Sequence, residues 1–183
     1  MARKKVILVD ADVISHFIAT GKIDTLPQIL SPHTLYIVEQ VYKEASYHPL
    51  FENRKEELDS WMARCHIQKL LFPKSNRNIL LEYYRLRKEN PRFGEGERAC
   101  MAIACFDKEV IACSNFRDVA TYCKEHDIEY IGVMDILLIA MRKGIFDESE
   151  CNKFIHDAIV INKAKFPVSE IGTYKPDRNL DGF

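Results

Sequence analysis

The sequence predicts an α/β fold with a mainly parallel central sheet covered on both faces. Three observations predict it. Short β-rich runs recur along the chain, helical segments stand between them, and the first run is apolar from Val6 to Val9 with no polar alternation. Such continuous strands are buried on both sides, and parallel neighbours need a crossover helix between them.

The elements follow in order. Lys5–Val9 is the first strand. A helix runs over Val13–Ala19 and stops at Gly21, and a second short helix spans Ile23–Leu30 and ends at Ser31-Pro32. Thr34–Val38 is the second strand, followed by a helix over Gln40–Tyr47 that Pro49 closes. Glu52–Arg64 is a charged amphipathic helix, and His66–Leu71 is a short strand or edge. Asn76–Glu89 is helical up to the break at Asn90-Pro91. Gly94-Glu95-Gly96 opens a helix that continues to Phe106. Glu109–Cys113 is a strand, Asp118–Glu125 a helix and Glu129–Val133 a strand. Asp135–Arg142 and Glu148–Ile161 are helices. Counting the edge segment, the sheet has four or five strands. One domain is expected over residues 1–162, with a polar C-terminal tail over 163–183 that wraps the surface or is partly disordered.

Composition narrows the function. The 183 residues supply one substantial core. The 26 Lys+Arg against 27 Asp+Glu exclude a histone-like mode of nucleic-acid binding, leaving local basic patches. No apolar run is long enough to span a membrane, and Val6–Val9 is too short for a signal sequence, so a cytoplasmic location is expected. The six cysteines form no C-x-x-C pair. Cys113, Cys123 and His126 are read as core thiols and a surface histidine, not a zinc site.

Ligands of open parallel sheets bind at the carboxyl ends of the strands. Acidic and polar groups gather there in this sequence. Asp10 and Asp12 follow the first strand, and Glu39 ends the second with Glu44 on the next helix. Glu95 and Glu97 begin the helix before the third strand, and Ser114, Asn115 and Asp118 follow that strand. Taken singly, most have plain roles. Asp12 stands where a helix N-cap is expected, Glu44 either faces solvent on its helix or pairs locally with Lys43 or His48, and Glu95 and Glu97 suit a helix N-terminus. Asp10 is different, because a carboxylate at the end of a buried strand is costly unless it is used. As a converging set the acids repel one another unless a hard cation neutralises them. Oxygen ligation suits Mg2+ or Mn2+, which can activate water against a phosphodiester. Whether Glu39 or Glu44, and Glu95 or Glu97, joins the set depends on which helix face turns inward.

The segment Val6-Ile7-Leu8-Val9-Asp10-Ala11-Asp12-Val13-Ile14-Ser15 resembles the opening of PIN-domain proteins. Tyr36-Ile37-Val38-Glu39-Gln40-Val41-Tyr42-Lys43-Glu44, Gly94-Glu95-Gly96-Glu97-Arg98-Ala99 and Ser114-Asn115-Phe116-Arg117-Asp118 look like the family's later motifs. The four in order span about residues 5–145. The resemblance implies a three-layer α/β/α sandwich and a Mg2+- or Mn2+-dependent ribonuclease, with VapC-like toxins of toxin–antitoxin pairs among the relatives. It implies that Asp10, Glu44 and Glu97 ligate metal with Asp118 as a fourth acid, and that Ser114 and Asn115 hold ligands or water. The chain departs from the family at Phe116, where an acid is often found. That leaves the second metal position open and keeps a catalytically weakened nucleic-acid-binding or protein-interaction module as the alternative.

RNA is the implied substrate. Arg85-Leu86-Arg87-Lys88, Arg92, Arg98 and Arg117 are the candidate guides for its phosphates, and Tyr83, Tyr84 and Phe93 are candidate stacking residues weighed against core packing. An antitoxin protein and a homodimer, the latter through Ile136–Met141 with Phe146, are the other expected partners. A receiver module fits poorly, because Ile111-Ala112-Cys113-Ser114 supplies no phosphoryl-accepting Asp and the fifth strand that would carry its Lys is not evident. A P-loop or Rossmann enzyme is excluded because Gly94-Glu95-Gly96 places acids where phosphate would sit.

Overall fold

The computed structural model describes residues 4–47, 52–114 and 116–183, and the side chains of 116–118 are outside that description. Five strands form the sheet: β1 (Val6–Val9), β2 (Thr34–Val38), β3 (Gln68–Leu70), β4 (Val110–Cys113) and β5 (Tyr130–Gly132). Every pairing is parallel, and the order is β3-β2-β1-β4-β5. Ile7 and Leu8 point to opposite faces of β1, yet both are fully buried. The sheet is therefore covered on both sides, as the unbroken apolar run predicted.

The helices are α1 (Ala11–Ala19), α2 (Leu26–Ile29), α3 (Glu39–Ala45), α4 (Arg54–Arg64), α5 (Arg77–Glu89), α6 (Glu95–Asp107), α7 (Phe116–Glu125), α8 (Val133–Arg142) and α9 (Glu148–Asn162). The expected helix over Ile23–Leu30 is divided into a 3-10 turn at Ile23–Thr25 and α2. Four helices begin sooner than expected. α1 starts at Ala11, Glu39 opens α3 instead of ending β2, α7 starts at Phe116, and α8 starts at Val133 directly after β5. His48, Pro49 and Asn115 lie outside the described residues.

β1 has β2 on one side and β4 on the other, so the chain reverses its direction of travel across the sheet at the β1/β4 boundary. A crevice opens at such a switch point, outside the carboxyl ends of the strands. The Asp10 N–H donates to the Ala112 carbonyl at 2.9 Å, carrying the β1–β4 ladder one step further. Asp10 is thereby held at the mouth of that crevice.

The surface expected to pair subunits is used inside the molecule. Ile136, Leu137, Ile139, Ala140 and Phe146 are all buried in the core. This corrects that assignment, because a face already covered by its own chain has little left to bury against another copy.

After α9 the chain turns through Lys163, whose φ of 55° ends the helix while the Ala164 N–H bonds the Ala158 carbonyl at 3.2 Å. The following segment is fixed at several points. The Ile171 N–H donates to Asn152 Oδ1 at 2.8 Å, Ile171 and Leu180 are buried, and the Gly182 carbonyl lies 2.9 Å from His33 Nε2.

Candidate active site

The site starts from Asp10. Its backbone caps α1 from the N-cap position, where Asp12 was expected, and its carboxylate makes no capping hydrogen bond. The side chain is buried, and among the described residues it pairs with no Lys or Arg. Burial raises its pKa well above the usual carboxylate range, and the charges of Asp12, Glu97 and Glu44 raise it further. The Ala11 N–H opposes them. Asp12 stands in the first turn of α1, exposed to the crevice.

Glu44 reaches this place from α3. Its Oε1 accepts the Gly96 N–H at 3.0 Å, so the local pairing with Lys43 expected for it is not made. Glu39 takes that lysine instead, at 3.2 Å, and its other oxygen accepts the Phe72 N–H at 3.2 Å. Those bonds hold the Glu39 pKa below its ordinary value, the Phe72 N–H most and Lys43 next. The structure thus uses Glu39 to fasten the chain after β3 and turns Glu44 toward the acids.

Gly96 makes the approach of α6 possible. A Cβ there would lie 2.6 Å from Glu44 Oε2 and 2.8 Å from Val41 Cγ2, closer than real atoms pack. Only glycine lets α6 pass α3 at this distance. Glu97 then sits half-buried with its Oε2 3.4 Å from the Gly94 N–H, and its charge is felt at Asp10. Glu95 is exposed at the helix start and is not among the groups acting on Asp10.

Ser114 follows β4, and its hydroxyl is 3.2 Å from His16 Nε2. His16 is buried, and burial lowers its pKa, with Arg54 adding to this and Asp12 opposing it, so the ring is neutral at pH 7. Its other nitrogen lies 3.3 Å from Asn162 Nδ2, which also donates to Ser15 Oγ at 3.0 Å. Arg54 donates to the same hydroxyl at 2.9 Å and is almost wholly buried, with no carboxylate partner among the described residues. The sequence reading missed His16, Arg54 and Asn162. His16 had a signal, since Asp12, Ser15 and His16 share one helix face by their i, i+3, i+4 spacing. Arg54 and Asn162 come from α4 and the end of α9, and nothing local ties them to Ser15.

Two cavities open here. A smaller one of about 340 Å3 is lined by Asp12, Ser15, His16, Glu44 and Arg54, among others. A larger one of about 900 Å3 runs from Asp12, His16 and Ser114 to the segment after α9. They share Asp12, His16 and Asn162 as walls.

The basic residues expected to guide substrate stand differently. Arg98 is buried, donates to the Phe93 carbonyl and lies 5.5 Å from the centre of the Tyr83 ring. This corrects its expected substrate role, because a guanidinium enclosed in that way braces α6 against its own entry loop. Arg85 pairs with Glu82 and Glu89 on its own helix. Phe93 is buried, and Tyr83 packs against Phe72 at 5.0 Å. Asp118 falls on α7 by its backbone, while its side chain, with Asn115, lies outside the description.

Among the described residues no three His, Cys, Asp or Glu side chains form a metal cage by themselves, and no helix is long and apolar enough to cross a membrane. The donor set is nevertheless one that suits a hard cation. It is all oxygen, one member is buried without a counter-charge, and Mg2+ takes one or two carboxylates and keeps water in its other positions.

No curated protein and no solved structure shows significant similarity to the chain. A family model described as a PIN domain matches residues 6–162, which contain the whole sheet and the acids at its switch point. PIN domains are generally nucleases that use divalent metal. On that match, and with a fold and strand-end acids that agree with it, the chain belongs to the PIN-domain family.

Proposed function

We propose that the protein is a divalent-metal-dependent endoribonuclease that hydrolyses phosphodiester bonds in single-stranded or structured RNA. The observation that carries this reading is Asp10: a carboxylate buried at the switch point, without a cationic partner among the described residues, facing Asp12, Glu97 and Glu44. An arrangement that repels itself in the empty protein is stabilised by what it binds.

Asp10, Glu44 and Glu97 would hold Mg2+ or Mn2+, with Asp118 as the fourth acid. Bound there, the ion would lower the pKa of water and offset charge on the phosphate. The chain's own residues do the rest. Ser114, steadied by His16, presents a hydroxyl beside the acids to orient water or a phosphate oxygen, with Asn115 next to it in sequence. Arg54, fixed on Ser15, places a positive charge on the smaller cavity that Glu44 also lines. In the reaction the water gives up a proton to solvent and its oxygen bonds to phosphorus as the bond from phosphorus to the leaving sugar oxygen breaks. That oxygen takes up a proton from solvent.

The test is cleavage of labelled single-stranded RNA with Mn2+ or Mg2+, comparing wild type with Asp10→Asn. EDTA-sensitive cleavage that falls on the order of 10²–10³-fold in the variant is expected. A folded wild type that neither cleaves RNA nor gains melting temperature with metal would leave an inactive interaction module as the better reading.

A further inference from the structure

The larger cavity is walled on one side by a segment that lies beyond the family match. Residues 6–162 belong to the matched domain, whereas Lys163, Lys165, Phe166, Lys175 and Arg178 follow it. The three lysines are exposed, and among the described residues none has a carboxylate partner. The same cavity is also lined by Asp12, His16 and Ser114, so it leads from a row of cations to the acids.

The segment is held rigidly enough to present those cations. Asp135, fully buried at the start of α8, accepts the Gly132 N–H at 2.8 Å, the Tyr174 hydroxyl at 2.7 Å and Arg178 at 2.7 Å. At its other end Phe166 packs edge-on to His16, with ring centres 5.7 Å apart. The lysines therefore stand along a wall pinned at both ends, with an aromatic ring half-buried between them. A basic groove that tracks a backbone, interleaved with an aromatic side chain, is how single strands are held without base pairing.

We infer that residues 163–178 form a substrate cradle, in which Lys163, Lys165 and Lys175 bind successive phosphates of a single RNA strand and Phe166 meets one of its bases. The inference rests on the nuclease reading only for where the strand leads. The exposed Arg87 and Lys88 on α5 line neither cavity and take no part.

The experiment measures binding of a labelled single-stranded RNA in EDTA, so that affinity is read without cleavage, across a series of salt concentrations. Wild type is compared with a Lys163→Gln, Lys165→Gln, Lys175→Gln triple variant and with an Arg87→Gln, Lys88→Gln control. Glutamine keeps the side-chain stem, and the melting temperature of the triple variant stays at the wild-type value. Its affinity falls tenfold or more at low salt, and its log–log salt slope becomes shallower by about 2, as expected for three lost phosphate contacts on a single strand. The control binds as wild type does. An unchanged affinity and slope in the triple variant overturns the cradle, even where wild type cleaves RNA with metal. So does a wild type that does not bind RNA. A wild type that binds through these lysines but never cleaves supports the cradle and defeats the nuclease reading instead.

Discussion

Asp10 and Asp135 are both buried carboxylates, each between a strand's end and the first turn of the helix that follows it, and the protein treats them in opposite ways. Asp135 receives three donors, one of them the Arg178 guanidinium, in a pocket closed to solvent. Among the described residues Asp10 receives no side-chain donor, and it looks onto three other acids. A buried charge is tolerable when paired and hydrogen-bonded, and costly otherwise. The first carboxylate is thus an anchor that ties the C-terminal segment to the domain. The second stores an unfavourable interaction at the one place where the sheet opens, where a ligand can relieve it.

The largest test of the contrast is Asp135→Ala. Removing one partner of a buried pair strands the other, so the variant loses about 3–5 kcal/mol of stability. In a chain of this size that lowers the melting temperature by about 10 °C. A variant melting within a degree or two of wild type would show that the anchor carries little. Gly96→Ala is the next in size. Its methyl group would press on Glu44 and Val41, where the gap is under 3 Å. Overpacking of this kind costs about 1–3 kcal/mol. Because α6 can relieve it only by moving from α3, RNA cleavage falls together with stability.

The smallest expected effect is the most diagnostic, because its sign is reversed. Asp10→Asn removes the unfavourable charge and stabilises the metal-free protein by about 0.5–2 kcal/mol, while RNA cleavage falls on the order of 10²–10³-fold. Its pH dependence follows from the raised pKa of Asp10. The carboxyl in the folded protein holds its proton to higher pH than in the unfolded chain, so the stability it contributes is complete below about pH 3.9 and is lost as pH rises through the folded value. Thermal melts in EDTA should therefore show the variant level with wild type near pH 4 and increasingly above it toward neutrality. Added Mn2+ should raise wild type and leave the variant unmoved. A variant less stable than wild type at pH 7 would break the comparison, because Asp10 would then be as well satisfied as Asp135.

The two aspartates also mark how far the residues alone reach. Val6–Val9 followed by Asp10 declared a strand covered on both faces with a charge at its end, because period and hydrophobicity are local properties. The order of acids behind Glu44 and Glu97 was legible for the same reason. The choice of Glu44 over Glu39 was not. It turns on the Phe72 N–H claiming Glu39 and the Gly96 N–H meeting Glu44, contacts spanning 33 and 52 residues of chain. Asp135 stood only as the first residue of an expected helix, and Arg98 as a candidate guide for phosphates. Asp135 acquired its role from a distant partner, Arg178, and Arg98 from the way α6 folds back on its own entry loop at Phe93.

The sequence by itself determined the α/β alternation, the parallel sheet and the presence of acids at its strand ends. Those features follow from side-chain periodicity and from the cost of burying a lone carboxylate. Tertiary structure decided which acids face one another, that His16, Arg54 and Asn162 join them, and that the segment after α9 becomes a wall of the groove. Charge and hydrogen bonding act over a few ångströms in space whatever the distance along the chain, and only folding sets which groups come within that reach.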